Sequence, residues 1–548
     1  MKKIFFVLLL ISNYLNSQCI QDENRNVIVL GYEEKGLTDS VQKEWQHKDI
    51  LIDTVPGISS ELSYKLIENR KRDSVIVAII DSGVDINHED LKNVIWTNLK
   101  EIADNNIDDD KNGYVDDIHG WNFLGNEKGE NIYYARNEYV RLLKEKKILS
   151  HKKGLGDYSK IKDSIALEAI SFYQRAKKEL DDEIEYVNEQ YEKFEYIDKK
   201  LSKFFPKQNY SSEKLKTIDT VENPSLAKAV KIVDEFLTYD LTKEWLDEYN
   251  TYVRTLSDYK LNPNYNDRKL IGDDINDVND RSYGNNDIIG NSLIDIHGTV
   301  VAGILAADRN NDIGIKGVAD KVRLMILRAI PTGDEYDKDV ALAIRYAVDN
   351  GASIINASFG KFFSPNSKMV SDAIKYASEN DVLIVHASGN DSKDIDKINF
   401  FPIDYSLNSK QEFTDNFINV SALNYKLNRK FPAYFSNYGK INVDIFAPGH
   451  DLFSTLPNNN YITEGGTSLA APIISGIAAV LKSLYPNLTA KEIKNIILRS
   501  GDSYNIDITI PGRRDDPKVK FSQLTTSGRV ANMFNAIILA DKMFQERK

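Results

Sequence analysis

Three short stretches of this sequence place a carboxylate, an imidazole and a hydroxyl where regular structure is predicted to begin or end. Asp81 opens DSGVD after an apolar run, His297 opens HGTVVAG, and Ser468 closes GGTS ahead of an Ala-rich stretch. A serine hydroxyl is a weak nucleophile near neutral pH until a histidine accepts its proton, and a carboxylate fixes the tautomer of that histidine. The three residue types together point to nucleophilic catalysis.

Each of the three residues also has an ordinary structural explanation. Asp81 fits a turn former, His297 a helix-end residue, and Ser468 a helix cap whose oxygen accepts from a backbone N–H. For a serine alone before a helix, the cap is the commoner explanation. The coincidence of all three, in the order Asp, His, Ser, at the functional edge of one predicted sheet favours the catalytic interpretation.

A fourth motif fits the same chemistry. The apolar run 382–388 leads into Gly389 and Asn390, at the end of HASGN. A side-chain amide beside a nucleophile can donate to the oxyanion of a tetrahedral intermediate, together with the backbone N–H of Ser468. Without the other three motifs, a plain turn residue would be the favoured explanation of Asn390.

The elements that must carry these residues follow from hydrophobic periodicity. Short β-branched runs predict buried parallel strands, and amphipathic patterns between them predict helices. The predicted strands are 73–80, 322–330, 353–358, 382–388, 417–423 and 443–447. The predicted helices are 297–307, 337–349, 367–379, 468–484, 490–499 and 528–541. The fold class is therefore α/β, a doubly wound, mostly parallel sheet with helices on both faces, whose functional residues lie beyond the carboxyl ends of the strands.

A charged segment interrupts this alternation at 131–265. Lys, Glu, Asp and Tyr dominate it, glycine is nearly absent, and apolar residues recur at helical spacing in two seams. The seams are Leu180, Ile184, Val187, Tyr191 and Phe194, then Leu226, Val230, Val233, Leu237 and Leu241. We predict an inserted subdomain of long antiparallel helices, whose charges form a solvated face without a catalytic pattern.

Composition and the N-terminus limit the classes of function. The chain has 548 residues, 42% of them hydrophobic, and a net charge of −12, which argues against nucleic acid as a partner. Two lysines, an apolar run over 4–11 and small residues predict a secretory signal peptide at 1–17, and hence an exported protein, secreted or held in the periplasm or cell envelope. After it, no window is long and apolar enough to predict a transmembrane span.

The single cysteine, Cys19, lies just after the predicted cleavage site and cannot form an intrachain disulfide. Lipid attachment there is the less favoured of two interpretations, because Gln18 replaces the small residue that such sites prefer. The other interpretation is a free cysteine. The predicted organisation is then a signal peptide (1–17), an N-terminal extension (18–55), an α/β domain (56–130 and 266–548) and the helical insertion (131–265).

A second kind of site is suggested by DDDKNGYVDD at 108–117, where oxygen ligands alternate and a glycine allows a sharp turn. Its candidate ligands are Asp108, Asp110, Asn112, the carbonyl of Tyr114, Asp116 and Asp117. The pattern matches the first part of a calcium loop but lacks the glutamate at position twelve, where His119 stands. We predict a structural Ca²⁺ site, against the alternative of an acidic solvated turn, and no organic cofactor.

Taken together, AIIDSGVD, HGTVVAG, NASFG, HASGN and GGTSLAAP resemble the motifs of the subtilase (subtilisin-like) family of serine proteases, over 60–125 and 285–541. The resemblance implies a catalytic triad of Asp81, His297 and Ser468, with Asn390 as the oxyanion donor. It implies hydrolysis of peptide bonds in peptides or proteins through an acyl-enzyme.

The resemblance also implies a substrate cleft. A peptide would pair with the segment ASFG, which is β-augmentation. The first specificity pocket would lie between Ser358, Phe359 and Gly360 on one side and Ala387, Ser388 and Gly389 on the other. Lys361 stands where the family often has a second glycine, and we expect it to narrow or charge the cleft.

Three functions remain open on the sequence alone. The first is an exported serine endopeptidase, and the second is a narrow-specificity processing protease whose insertion restricts access to the cleft. The third is a catalytically silent binding or scaffold protein that kept the fold. Silent relatives usually lose a triad residue or the glycines around the serine, and all of these are present here, which favours an enzyme.

Overall fold

The structure, a computed structural model, describes residues 19–21, 26–29, 38–150, 154–156, 158–513 and 517–546. The predicted signal peptide lies outside these residues and stays a prediction, as does lipid attachment at Cys19. The chain divides into two compact units. Unit 1 comprises Met1–Tyr133 and Arg268–Lys548, and unit 2 comprises Tyr134–Asp267.

The described strands are short, and those that carry the candidate site are runs of aliphatic residues. They are β1 (Cys19–Gln21), β2 (Asn26–Val29), β3 (Val75–Asp81), β4 (Gly120–Asn122), β5 (Leu149–Ser150), β6 (Gly154–Leu155), β7 (Val322–Arg328), β8 (Ile354–Ala357), β9 (Leu383–Ala387), β10 (Phe417–Leu423), β11 (Ile445–Pro448), β12 (Leu452–Leu456), β13 (Asn460–Glu464), β14 (Asp502–Tyr504), β15 (Asp507–Thr509), β16 (Lys518–Lys520) and β17 (Arg529–Val530).

The described α-helices alternate with the strands in unit 1 and dominate unit 2. They are α1 (Asp39–Gln42), α2 (Ser60–Ile67), α3 (Glu138–Glu145), α4 (Ser164–Leu201), α5 (Ser212–Leu215), α6 (Pro224–Thr238), α7 (Lys243–Thr255), α8 (His297–Ala306), α9 (Asp337–Asp349), α10 (Ser367–Glu379), α11 (Thr467–Leu484), α12 (Ala490–Ser500) and α13 (Met533–Glu546). Short 3₁₀ turns cover Trp45–His47 and Phe521–Gln523, and a π turn covers Leu256–Lys260.

Unit 1 is built on one sheet with the strand order β1-β2-β14-β17-β11-β10-β9-β8-β3-β7-β4. Every neighbouring pair from β17 to β4 is parallel, whereas β1 with β2 and β14 with β17 are antiparallel. The carboxyl ends of β3, β8 and β9 therefore meet at the same edge of the sheet. The predicted α/β fold class is confirmed.

The core of unit 1 lies on both faces of this sheet. In β3, Val77 and Ile79 pack with α8 and α11, whereas Ala78 and Ile80 pack with α9 and α10 on the opposite face. Successive side chains of a strand point to opposite faces, so a strand covered by helices on both sides must be apolar at every position. This requirement explains the unbroken run VIVAII.

Helix α11 is the one described helix with the length and mean hydropathy of a membrane span. Its mean hydropathy is 1.5, but 83% of it is buried inside the protein. A helix that is apolar all round is expected at the centre of a large core as well as in a membrane. Burial in the core of unit 1 accounts for its composition.

Unit 2 is a helical unit in which α6 and α7 pack against the long helix α4. Helix α4 begins at the cap Asp163, whose Oδ1 accepts from the backbone N–H groups of Ile165 and Ala166 at 3.0 and 3.2 Å. The two ends of the unit meet, because Asp267 accepts from the backbone N–H of Arg136 at 2.9 Å and from its guanidinium at 2.8 Å. The two ends of unit 2 are thus held together by contacts within the unit.

Candidate active site

Asp81 and His297 contact each other at the carboxyl edge of the sheet. Asp81 is the last residue of β3 and is 2% exposed, and His297 is the first residue of α8. His297 Nδ1 lies 2.8 Å from Asp81 Oδ1, which also accepts from the backbone N–H of Ser82 at 2.7 Å. A carboxylate can only accept, so Nδ1 carries the proton and Nε2 presents its lone pair.

The residues after His297 explain why α8 can start so close to β3. A Cβ at Gly298 would lie 2.1 Å from the carbonyl oxygen of Gly83, so only glycine fits there. Thr299 Oγ1 accepts from the backbone N–H of Asp85 at 2.9 Å, which ties the helix start to the loop after β3. The HGT motif therefore combines the imidazole with two residues that fix the start of α8 against the loop after β3.

Ser468 is the second residue of α11 and is half-buried. The hairpin of β12 and β13 leads into it and is fastened to α8, because Ser454 Oγ donates to Val300 O at 2.6 Å and Thr455 Oγ1 to Thr299 O at 2.7 Å. From the sheet side, Ser358 Oγ donates to Ser468 O at 2.8 Å. Ser468 is thus fixed to both α8 and the end of β8.

The Ser468 hydroxyl has no such tie to the histidine. Across the described part of the chain, neither Ser468 Oγ nor His297 Nε2 takes part in a hydrogen bond between protein groups. Catalytic hydrogen bonds in unliganded sites are often long and shorten only when substrate binds. The structure therefore joins Asp81 to His297 directly and brings Ser468 to the same edge of the sheet without a bond to His297.

Asn390 is oriented by Thr467, the residue before Ser468. Its Oδ1 accepts from the backbone N–H of Thr467 at 2.8 Å and from Thr467 Oγ1 at 2.9 Å. Thr467 Oγ1 in turn accepts from the backbone N–H of Gly389 at 3.1 Å. Because a backbone N–H can only donate, the amide has one possible orientation, and its Nδ2 remains as the outward donor.

Asn390 Nδ2 and Ser468 Oγ face the same small volume. A Cβ at Gly466 would lie 2.8 Å from Ser468 Oγ and 3.4 Å from Asn390 Nδ2. The backbone N–H groups of the first turn of α11 point into the region before the helix, where its dipole favours negative charge. Glycine at 466 keeps this volume open. Thr467 was not predicted as a site residue, although its place beside Ser468 is the signal that could have found it.

Two carboxylates set the charge around His297. Partial burial lowers the pKa of the imidazole, but the charge and hydrogen bond of Asp81 and the charge of Glu464 outweigh it, so the pKa of His297 is raised above its ordinary value of 6.5. The side chain of His297 is 42% exposed, and Glu464, at the end of β13, is exposed. No motif in the sequence selects Glu464, because its effect depends on a contact made only in the fold.

The six predicted pocket residues lie on two segments beside Ser468, with little side-chain exposure. Ser358, Phe359, Ala387 and Ser388 are buried, and the last of these is bonded to Ser421 Oγ at 2.8 Å. Because these side chains are buried, the two segments present mainly backbone groups to a ligand, together with Gly360 and Gly389. Behind them, His386 Nε2 lies 2.9 Å from Phe359 O, and burial lowers the pKa of His386 to about 4.

Lys361 does not charge this region, so the charge expected from the sequence was wrong, whereas the expected narrowing stays a prediction. Its side chain is 3% exposed and turns inward, where Nζ lies 2.9 Å from Asp337 Oδ1 and donates to Glu335 O at 2.7 Å. An ammonium group is expensive to bury unless it is paired, so the position next to Asp337 is favoured over the cleft.

The predicted calcium loop contains a carboxylate cluster whose membership differs from the predicted ligands. Asp108 and Asp110 lie with Glu101, with one oxygen of each residue within 4.8 Å of the others. Glu101 Oε1 accepts from the backbone N–H of Asp110 at 3.0 Å, while Oε2 is buried with no partner among the described residues. A buried carboxylate oxygen without a donor fits a hard cation, which needs oxygen ligands.

Most of the predicted ligands have hydrogen-bond partners within the loop, including Asp108 and Asp110, which accept from the backbone N–H of Asn112. Asp116 accepts from the backbone N–H groups of Asn105 and Asn106, and Asp117 accepts from Asn98, Asn112 and Tyr346. Asn112 Oδ1 accepts from the backbone N–H of Tyr114 at 2.8 Å. These residues shape the loop, and Glu101, which lies outside the motif, is brought in by the fold.

Comparison with known proteins places the chain in a family. The sequence profile of the Subtilase family (peptidase S8) matches residues 72–523. The chain is 38% identical over 207 residues to the "Thermophilic serine proteinase" of Bacillus sp. (strain AK1), covering 38% of this chain and 47% of that protein. It is 33% identical over 251 residues to "Subtilisin-like protease 1" of Plasmodium berghei (strain Anka), covering 43% and 41%. The aligned region thus spans less than half of each relative.

Among solved structures, the chain is similar to a protease of Pseudoalteromonas arctica, with 26% identity and a TM-score of 0.39 over 50% of this chain and 84% of that one. The profile match extends from before Asp81 to beyond Ser468 and includes His297 and Asn390. On that match, the chain belongs to the subtilase family.

Proposed function

We propose that this chain is a serine endopeptidase that hydrolyses peptide bonds through an acyl-enzyme. One observation carries the proposal: the 2.8 Å hydrogen bond that fixes the His297 tautomer, at the edge of the sheet where Ser468 begins a helix. Catalytically silent relatives usually lose a triad residue or the glycines around the serine, and this chain has all of them.

In the proposed reaction, Ser468 Oγ attacks the scissile carbonyl carbon while His297 Nε2 takes its proton. Asp81 stabilises the imidazolium that results. The same proton then goes to the leaving amine as the C–N bond breaks, leaving an ester on Ser468. Water, deprotonated by His297, hydrolyses this ester and restores the serine.

The oxyanion of each tetrahedral intermediate would be held by Asn390 Nδ2 and the backbone N–H of Ser468. Asn390→Ala is expected to lower kcat by about 100- to 1,000-fold with little change in KM, because the donor acts on charge that develops only in the transition state. Steady-state kinetics on a chromogenic peptide would measure the change.

Asn437→Ala is not a suitable control for Asn390, because Asn437 holds the neighbouring loop. Asn380, an exposed amide at the end of α10, is the better match. Equal losses in Asn390→Ala and Asn380→Ala would rule out a specific role for Asn390.

The pH dependence should follow His297. Because only the neutral imidazole accepts a proton and its pKa is raised, kcat/KM should increase with pH through a midpoint above 6.5. Glu464→Gln removes one of the charges that raise the pKa, so the midpoint should move to lower pH. Profiles of kcat/KM between pH 5 and 9 would measure both. An unmoved midpoint, or the same shift in the exposed-glutamate control Glu379→Gln, would contradict the assignment.

A peptide substrate would lie along the backbone that follows β8, in the manner of an added strand. Phe359 O is engaged with His386, so the affinity must come from the backbone groups that face away from the sheet. The buried side chains of the two pocket segments then set the shape available to the substrate rather than its charge.

Labelling with an active-site serine phosphonate tests the proposed function. Such a reagent forms a covalent bond only with an activated serine, so the folded wild type should gain one adduct on Ser468, located by peptide mass spectrometry. Ser468→Ala should remain unlabelled. A folded wild type that does not react at any pH between 6 and 9 would favour the silent scaffold.

We further propose a structural Ca²⁺ held by Glu101, Asp108 and Asp110. A bound cation would neutralise three carboxylates that otherwise repel one another and would supply a partner for Glu101 Oε2. The ion would fix the loop between β3 and β4 and take no part in the reaction.

Calcium should therefore raise the melting temperature of the chelator-treated protein. A free concentration a hundredfold above Kd stabilises a protein by about 2.7 kcal/mol, which for a chain of this size corresponds to a shift of about 2–3 °C in melting temperature. Titration calorimetry and thermal unfolding would measure binding and its effect. Glu101→Gln should lose both, whereas Asp104→Asn, an exposed carboxylate of the same loop, should retain both. Equal binding in wild type and Glu101→Gln would contradict the assignment.

We also propose that the protein is exported, on the strength of the N-terminal lysines and apolar run at 1–17. Peptides, or proteins with accessible segments, outside the cytoplasm would then be its substrates. Mass spectrometry of the N-terminus of the protein recovered from outside the cytoplasm would show whether cleavage occurs after residue 17.

A further inference from the structure

The ring of Phe400 occupies the space between the two segments that flank Ser468. A Cβ at Gly360 would lie 2.3 Å from Phe400 Cε1, and one at Gly389 would lie 2.7 Å from Phe400 Cζ. Both separations are far below van der Waals contact, so glycine is required on each side. The edge of one aromatic ring thus fills the gap that the two glycines leave.

The two segments are in direct contact with the nucleophile's helix. Ser358 Oγ, two residues before Gly360, donates to Ser468 O at 2.8 Å. The backbone N–H of Gly389 donates to Thr467 Oγ1 at 3.1 Å. The family resemblance places the side chain immediately before the cleaved bond between these segments, and there it would meet the ring of Phe400.

The ring is held in this position. Phe400 is 7% exposed and packs edge-on against Phe362, with ring centroids 5.3 Å apart, and at a tilt against His386, with centroids 6.0 Å apart. The next residue, Phe401, exchanges backbone hydrogen bonds of 2.8 and 3.1 Å with Lys361. A buried ring packed in this way cannot swing aside without disturbing its neighbours.

The two basic side chains beside the ring are already engaged with other protein groups. Lys361 is paired with Asp337, and His386 lies behind Phe359 with both ring nitrogens opposite oxygen atoms. An acidic substrate side chain would therefore lose its hydration in this gap without gaining either of these groups as a partner.

We propose that Phe400 is a specificity-determining residue that closes the floor of the first specificity pocket. The pocket would then accept only a small, uncharged side chain, such as that of Gly, Ala or Ser, on the residue before the cleaved bond. This inference rests on the proposed function, because it assumes that Ser468 is the nucleophile.

The test compares peptide p-nitroanilides that differ only in the final residue, Ala or Phe. The wild type should cleave the Ala substrate with a kcat/KM at least 10-fold above that for Phe. Phe400→Ala should open the gap and change the Phe-to-Ala ratio by roughly 100-fold in favour of Phe, the scale on which apolar pockets discriminate. Phe400→Val, which keeps more of the packing, should lie between them and covers the case in which Phe400→Ala does not fold.

Phe417→Ala is the matched control, because Phe417 packs on the same His386 ring at 5.5 Å but belongs to β10 rather than to the gap. It should leave the Phe-to-Ala ratio within about threefold of the wild type. Thermal unfolding of each variant separates loss of stability from change of preference.

Two readouts keep this inference distinct from the proposed function. The role of Phe400 is overturned if the wild type reacts with a phosphonate that lacks a peptide side chain and yet prefers the Phe substrate. It is also overturned if Phe400→Ala leaves the preference of such a reactive enzyme unchanged. In both cases the proposed function stands. If no phosphonate reacts, the proposed function fails. Titration calorimetry on Ser468→Ala, with peptides ending in Ala or Phe, then tests the size of the pocket independently of catalysis. Equal or tighter binding of the Phe peptide overturns the inference, and tighter binding of the Ala peptide supports it.

Discussion

Replacing Ser468 with alanine is expected to lower kcat by about a million-fold, because the chain then has no nucleophile at the edge of the sheet where His297 and Asn390 converge. The protein should still fold, since Ser468 Oγ makes no hydrogen bond with the rest of the described chain and its replacement by Ala removes only one half-buried oxygen. Single-turnover and steady-state assays on a chromogenic peptide would measure the loss.

His297→Ala should cost about as much as Ser468→Ala, and the double variant should lose little more than either single one. The two groups act as a unit, so removing the second after the first removes nothing further. Ser483→Ala supplies the control: Ser483 is buried in the same helix, and its hydroxyl donates to Val480 O at 2.9 Å, away from the site residues. Additive losses in the double variant would mean that the two residues act independently.

Asp81→Asn is expected to lower kcat by about ten-thousand-fold while the fold is retained. Asparagine has nearly the same shape, and its oxygen can still accept from the backbone N–H of Ser82. It no longer carries the charge that stabilises imidazolium, and its amide can present a donor to Nδ1, which selects the wrong tautomer of His297.

The matched control for Asp81 is Asp85→Asn, four residues along the same loop. Asp85 accepts from the backbone N–H groups of Asn87 and Asn458 and touches no triad residue by hydrogen bond in the described chain. It should stay within a few-fold of the wild type at pH 8. Activity of Asp81→Asn close to that of Asp85→Asn would show that another group orients His297.

The sheet and its helices could be predicted from sequence because their signals are local. The strand predicted at 417–423 is β10 with the same bounds, and the helices predicted at 337–349 and 367–379 are α9 and α10 with the same bounds. Each is a short, largely apolar buried run or an amphipathic pattern that can be recognised without knowledge of its neighbours.

The hairpin of β12 and β13 was not predicted, although it leads directly into Ser468. Strand β13 (Asn460–Glu464) is polar and partly exposed, so it lacks the pattern of a buried strand. Its stability comes from pairing with β12, and that strand is buried through contacts with α8. Tertiary contacts, rather than propensity, decide such elements.

The chemistry-bearing residues of the site could be selected from their motifs, but their partners could not. Glu101 joins Asp108 and Asp110 only because the loop folds back, and Phe400 reaches Gly360 across 40 positions of sequence. Lys361 was expected to face the cleft, and Asp337 draws it inward instead. In each case the deciding contact is distant in sequence, where a motif carries no information.

The ion pair that joins the two ends of unit 2 affects how the Asp81–His297 contact forms. The two residues are 216 positions apart, and residues 134–267 lie between them. If unit 2 folds first, the ion pair of Arg136 with Asp267 brings its ends together, and the chain that must still be closed is shortened by more than half. The entropic cost of closing a loop falls by about 0.6 kcal/mol for each halving of its length. Early folding of unit 2 would thus shorten the loop that the Asp81–His297 contact has to close, and disrupting Arg136–Asp267 should slow refolding more than it lowers turnover.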